Sequence, residues 1–295
     1  MTAPWRLLAA EKALLALGLI AIARTVAGWF MPSVGEDFGL YSLLLIGQQL
    51  LLYGLPAIVL HPQARIPTPR LPEEEDRPGL KRLAAIAGTA ALHQGALVLV
   101  TLVFGQWLAF MGLSVRVSQP PLPQNGGQAA LAVLALAVIP ALCEESLFRG
   151  RVLKGLQSSF APRTSLFLTA GLFALMHGQL ANLPAHLAAG FMLTALCMKD
   201  GLMGAMAYHF TFNLTSLALS LCEGAFHWQG LLMASPPLLM ALMGLLILLG
   251  VLCAWALLRG LTLEKGPQAS ARAWYWVGGV ALLLLPAYLL ELLPR

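Results

Sequence analysis

The sequence predicts an all-α, polytopic transmembrane helical bundle of about eight to ten spans. Three observations carry that reading. Of the 295 residues, 59% are hydrophobic and 11% charged, against about 25% charged in an ordinary soluble domain. The mean hydropathy is +0.78, more than a water-soluble fold sustains. Apolar segments of about 19 residues, the length that crosses a bilayer as a helix, recur along the chain.

Nine segments qualify, near 10–30, 41–60, 83–113, 128–148, 165–180, 183–198, 201–221, 231–258 and 273–293. The first follows Arg6 and Lys12, as a signal peptide would. Its apolar run continues to Phe30 without a convincing cleavage site, so it reads as a retained helix. The third is long for one span and must tilt or leave the bilayer. The fifth and sixth are short, and a re-entrant course is open to one of them. Residues 61–82 are rich in proline and charge and form a solvated loop; the acidic run Glu73–Asp76 is neutralised by flanking Arg and Lys and reads as solvation rather than a metal site. Pro120, Pro121, Pro123, Gly126 and Gly127 make 114–127 an irregular connection. Trp274 and Trp276 suit an interfacial aromatic belt.

The connections alternate in charge. Arg6 and Lys12, the five basic residues of 65–82, Arg149 to Arg163, Lys199, and Arg259 to Arg272 all fall on one side, fifteen of the 18 Lys and Arg residues. The positive-inside rule puts that side and the N-terminus in the cytoplasm, and the C-terminus outside. Topology and anionic headgroups thus account for the net charge of +5. No aromatic–basic cluster points to nucleic acid. The cysteines at 143, 197, 222 and 253 form no CxxC pair, which argues against a disulfide framework or a zinc cluster.

Polar residues interrupt the apolar segments at a few places. Ala129 to Leu142 runs directly into Glu144, Glu145 and Arg149. A carboxylate at membrane depth costs on the order of 3 kcal/mol even on the mild insertion scale, so it marks a functional site by default. Helical spacing places Glu145 and Arg149 on one face as an ion pair and turns Glu144 by about 100° to face elsewhere. Phe173 lies one turn before His177 and can wall its pocket. His209 and Asn213 share a face. An acid, two imidazoles and a carboxamide on three helices suit water activation and stabilisation of an oxyanion, hence amide hydrolysis without a covalent enzyme intermediate.

Glu144-Glu145-xxx-Arg149, Phe173-xxx-His177 and His209-xxx-Asn213, in that order on separate apolar segments, resemble the motifs of the CPBP family. These are the CAAX prenyl proteases and bacteriocin-processing (Abi-type) enzymes, also called glutamic intramembrane proteases. The resemblance covers about 128–216. It implies that Glu144 activates water, that His177 helps to hold it, that His209 and Asn213 form the oxyanion hole, and that Glu145, Arg149 and Phe173 support the site. It also implies a site reached from the cytoplasmic side, which agrees with Arg149 marking the cytoplasmic end of the fourth span. The expected organisation is N-terminal transmembrane helices over 1–127, a catalytic core over 128–221 and C-terminal transmembrane helices over 222–295.

The expected enzyme is a multipass endopeptidase of a bacterial inner or plasma membrane, working without a cofactor. Its partners are the bilayer and a peptide or protein substrate, lipidated or membrane-anchored among the options: a CAAX-like tail, a leader peptide or a C-terminal sorting segment. Zinc held by two histidines and a glutamate is the chemical alternative, but there is no HExxH and Asn213 is a poor zinc ligand. A catalytically silent immunity or scaffold protein that binds a peptide is the alternative of another class. Neither half shows the paired broken helices of a transporter. His186 matches none of the motifs and reads as packing or interfacial; His93 and Gln94 read as contacts between helices.

Overall fold

The computed structural model describes residues 9–30, 37–60, 78–113, 121–263, 266–267 and 269–291. The expectations for Arg6, for the loop 61–77 with Glu73–Asp76, and for Arg116 and Lys265 lie outside the described residues. The regular structure described is helical throughout: α1 (Ala9–Phe30), α2 (Phe38–Val59), α3 (Leu80–Phe110), α4 (Gly126–Gln157), α5 (Pro162–His177), α6 (Leu183–Phe226), the short α7 (Trp228–Met233), α8 (Pro236–Leu258) and α9 (Ala271–Glu291). Every predicted segment is largely helical, with 183–198 and 201–221 sharing α6 and 231–258 running from α7 into α8. Five of them, α2, α3, α4, α6 and α8, are long and apolar enough to cross a membrane, and the protein is an integral membrane protein.

Helices α2 and α4 each widen for one turn just before a proline, and α4 widens again at Phe148–Val152. Proline lacks the N–H that would bond back along the helix, and its ring crowds the carbonyl four residues earlier. Accordingly α2 carries a π turn at Leu50–Gly54, just before Pro56, and α4 carries one at Leu134–Val138, just before Pro140. The turn in α2 follows directly on Gln49. Gly54 brings the two helices together, since a Cβ there would lie 3.3 Å from Cys143 Sγ. Both proline-linked turns therefore flank the acidic pair of α4.

The predicted segments at 183–198 and 201–221 form one continuous element, α6, that reverses direction. Gly201 has φ 73° and ψ −175°, a conformation outside the helical region and open mainly to glycine. In a straight helix Gly190 and His209 would stand about 28 Å apart. Instead Arg149 bonds the carbonyl of Gly190 while its partner Glu145 bonds His209. The two arms of α6 thus lie side by side. The first packs on α5 so tightly that a Cβ on Gly190 would meet Ala170 O at 2.9 Å. The second packs along α3.

One end of the bundle gathers the basic side chains. Arg82 at the start of α3 bonds both carboxylate oxygens of Asp200 at the α6 reversal, at 2.9 and 2.8 Å. Lys199 reaches the Leu257 carbonyl at the end of α8. Arg272 pairs with Glu11 across α9 and α1. The basic connections that alternate along the sequence therefore meet at a common end. Arg149 is the exception and corrects the expectation that it ends the fourth span. It is 0% exposed, and α4 continues about two further turns to Gln157.

Candidate active site

The site is built on the middle of α4. Glu144 and Glu145 are 5% and 0% exposed, so both carboxylates must be paired inside the protein. They face different partners, as their 100° offset requires. Glu145 Oε1 accepts from Arg149 Nη1 at 2.9 Å and from His209 Nδ1 at 2.7 Å. Arg149 is held further by the Gly190 carbonyl at 3.0 Å and Thr194 Oγ1 at 3.4 Å, and its guanidinium lies 4.5 Å from the centre of the Phe173 ring. A planar cation with several donors suits this enclosed position better than a lysine would.

Glu144 faces away from the arginine. Its Oε1 accepts from Gln49 Nε2 at 2.8 Å. Its Oε2 has no hydrogen-bond partner among the described residues and lies 4.0 Å from His177 Nε2 and 4.0 Å from His209 Nε2. Both imidazoles are oriented by their other nitrogen. His177 Nδ1 donates to the Phe173 carbonyl at 2.8 Å, and His209 Nδ1 donates to the Glu145 carboxylate, since neither oxygen can donate. Phe173 walls the pair edge-on, with ring centres 4.6 Å from His177 and 6.0 Å from His209.

A cavity of about 730 Å³ opens onto this cluster. Glu144, Phe173, His177, His209 and Asn213 all line it. Asn213 sits one turn beyond His209 on the same helix face. Glu145 and Arg149 lie behind the wall. A smaller hollow of about 300 Å³ between α1 and α9 is lined by apolar and aromatic side chains and lies apart from this chemistry. Among the described residues, no group of three or more His, Cys, Asp and Glu side chains is gathered at metal-holding distances.

The direction of the cavity bears on the expected access to the site. Its lining advances from Gln94 to Ala109 along α3 and from His209 to Ser220 along α6, and it reaches Leu122 and Gln229. That is away from the basic end. On the basic side of Glu144, residues Leu147, Phe148, Arg149, Val152, Leu153 and Leu156 are all 0% exposed and close the floor.

Three further residues belong to the site. Gln49 fixes one oxygen of Glu144; the sequence signal was an amide pair, Gln48-Gln49, inside an apolar span. His186, read from sequence as packing or interfacial, stacks on His177 at 3.9 Å between ring centres and lines the cavity. Motif spacing could not show this, because the contact crosses the turn between α5 and α6. Arg24 reaches from α1 to Tyr53 Oη and to the Met176 carbonyl, and so holds the end of α5 just before His177. Its signal was a lone cation inside an apolar segment. His93 bonds Tyr208 Oη and the Gly250 carbonyl at 2.7 and 2.9 Å and joins α3, α6 and α8, as its reading as a contact between helices requires.

Residues 126–215, from the start of α4 to just past Asn213, match the family model described as Rce1-like, type II CAAX prenyl endopeptidase. No curated protein and no solved structure matches the chain. The matched stretch is under a third of the sequence, yet it carries both carboxylates, Arg149, both imidazoles and the Gly201 reversal. That match, over residues 126–215, supports a place in the CPBP family, whose Rce1-like members are CAAX-type prenyl endopeptidases.

Proposed function

We propose that the protein is a glutamate-dependent intramembrane endopeptidase. The observation that carries this reading is Glu144 Oε2. It is buried and without a protein partner among the described residues, faces two imidazole nitrogens and sits at the closed end of a cavity. A water about 2.8 Å from that oxygen also comes within reach of His177 Nε2. The carboxylate takes a proton as the water attacks the scissile carbonyl, and His177 keeps the water oriented.

His209 and Asn213 serve the oxyanion. Because His209 Nδ1 already donates to Glu145, its Nε2 donates only in the imidazolium form. Glu145 is the counter-charge for that form, and Arg149 holds Glu145 in place. Each buried carboxylate then has a cation nearby, Arg149 and the imidazolium for Glu145 and, further off, Arg24 for Glu144, which suits burial. Asn213 supplies a second donor from its amide. The proton taken by Glu144 passes to the leaving amine, so the cycle closes without a covalent intermediate. Gln49 keeps the second oxygen of Glu144 occupied, so that Oε2 alone meets the water. The substrate is a peptide or protein segment presented at the membrane, with CAAX-like tails, leader peptides and sorting tails all of suitable chemistry.

Direct activation by protein groups predicts that the metal-free purified enzyme in detergent still hydrolyses a cleavable peptide from a fluorogenic library. Elemental analysis of the same active sample is the check. Stoichiometric zinc, with activity lost on its removal and restored on its return, overturns the assignment in favour of a zinc-bound water.

A further inference from the structure

We propose that substrate enters from the face of the membrane opposite the basic loops, so that the protein processes polypeptide segments exposed on the outer face. This rests on the site assignment above and adds the side and form of the substrate. Two independent features carry it.

The first is the direction of the cavity. From Gln94 to Ala109 its wall follows α3 for about 22 Å, at 1.5 Å per residue. It emerges among Gln106, Pro121, Leu122, Ser220 and Gln229. In the other direction the buried side chains from Leu147 to Leu156 seal it.

The second is the sidedness of charge. Lys12, Lys81, Arg82, Lys154, Arg163, Lys199, Arg259 and Arg272 sit at the sealed end. Among the described side chains at the open end, the charged ones are Asp37 and Glu223, with no Lys or Arg. Basic connections near helix ends set orientation, and they stay in the cytoplasm. The sealed end is therefore cytoplasmic and the mouth is external.

The lining fits an extended chain. Gln94, Thr101, Gln106, Ser216 and Ser220 offer uncharged donors and acceptors between leucines and valines. A peptide backbone taken from water into the cavity needs such partners. At about 3.3–3.6 Å per residue, roughly six residues of extended chain reach from the mouth to Glu144. A flexible tail or loop on the outer face meets that requirement. A tail anchored by lipid in the cytoplasmic leaflet does not, because the floor lies between it and Glu144.

The test uses full-length protein in the inner membrane of a bacterial host, with the four native cysteines replaced. Single cysteines are placed at Gln106, Ser220 and Arg163. A charged, membrane-impermeant maleimide is applied to intact spheroplasts and to inverted vesicles. The expected result is labelling of Gln106→Cys and Ser220→Cys from outside only, and of Arg163→Cys from inside only. Labelling of Arg163→Cys from outside inverts the orientation and overturns the proposal. Labelling of the cavity positions from inside, or from neither side, also overturns it. Labelling does not depend on turnover. A chain that labels as expected but cleaves no peptide sinks the protease mechanism and leaves the direction of the cavity standing.

Discussion

Glu144→Gln is expected to lower peptide hydrolysis by at least about a hundredfold, the scale of losing a general base, while the protein still folds. The substitution keeps shape. The oxygen of the introduced carboxamide can still accept from Gln49, which in the native protein bonds Glu144 Oε1 at 2.8 Å. The new amide nitrogen takes the place of Oε2 and faces His177 and His209, each 4.0 Å from that oxygen in the native site. What disappears is the ability to take a proton from water. Stability should hold or rise, since a neutral amide costs less to bury than a carboxylate. The measurement is the initial rate of cleavage by purified protein, normalised to the fraction that elutes as folded in detergent. A Glu144→Gln protein that cleaves at near the wild-type rate sinks the mechanism. A wild-type protein that binds its peptide and never cleaves it favours the silent scaffold instead.

Arg149→Ala should unfold the core rather than merely slow the reaction. The side chain is fully buried and contacts Glu145, the Gly190 carbonyl, Thr194 and the Phe173 ring. Removing one member of a buried ion pair typically costs about 3–5 kcal/mol, because the other charge is left uncompensated. Here the stranded group is Glu145, with His209 as its remaining partner. Thermal unfolding in detergent is the readout, and an unchanged midpoint for Arg149→Ala refutes the structural role. The double variant Glu145→Gln/Arg149→Met should recover much of the stability, since it removes both charges and keeps volume. It should not recover activity, because His209 loses its counter-charge.

The helices were legible because membrane solvent leaves a strong composition signal: apolar runs of spanning length cannot be disguised. The site was legible where chemistry recurs at helical spacing, as in Glu145 with Arg149 and His209 with Asn213. Gln49 and His186 escaped for a physical reason. Their partners lie on other helices, and no spacing rule reaches across a turn of unknown geometry. The depth of Arg149 escaped because a cation at the edge of an apolar run looks the same whether the helix ends there or the charge is buried. The direction of the cavity is a property of packing among α3, α4 and α6, and single-chain periodicity carries none of it.

The reversal at Gly201 has a consequence for how the molecule is made. Gly190 and His209, the two contacts that lock Arg149 and Glu145, are separated by 19 residues along the chain. His177 lies only 33 residues beyond Glu144. Arg149 meets Glu145 within one helical turn, but its contact with Gly190 and that of Glu145 with His209 span 41 and 64 residues, so they form only once both arms of α6 have been made. The segment 126–215 thus carries every reacting group, while α1 and α2 add Arg24, Gln49 and a buried core shared with α4. The helices outside it supply packing, the hold on Glu144 and much of the cavity wall, and so shape what reaches the mouth.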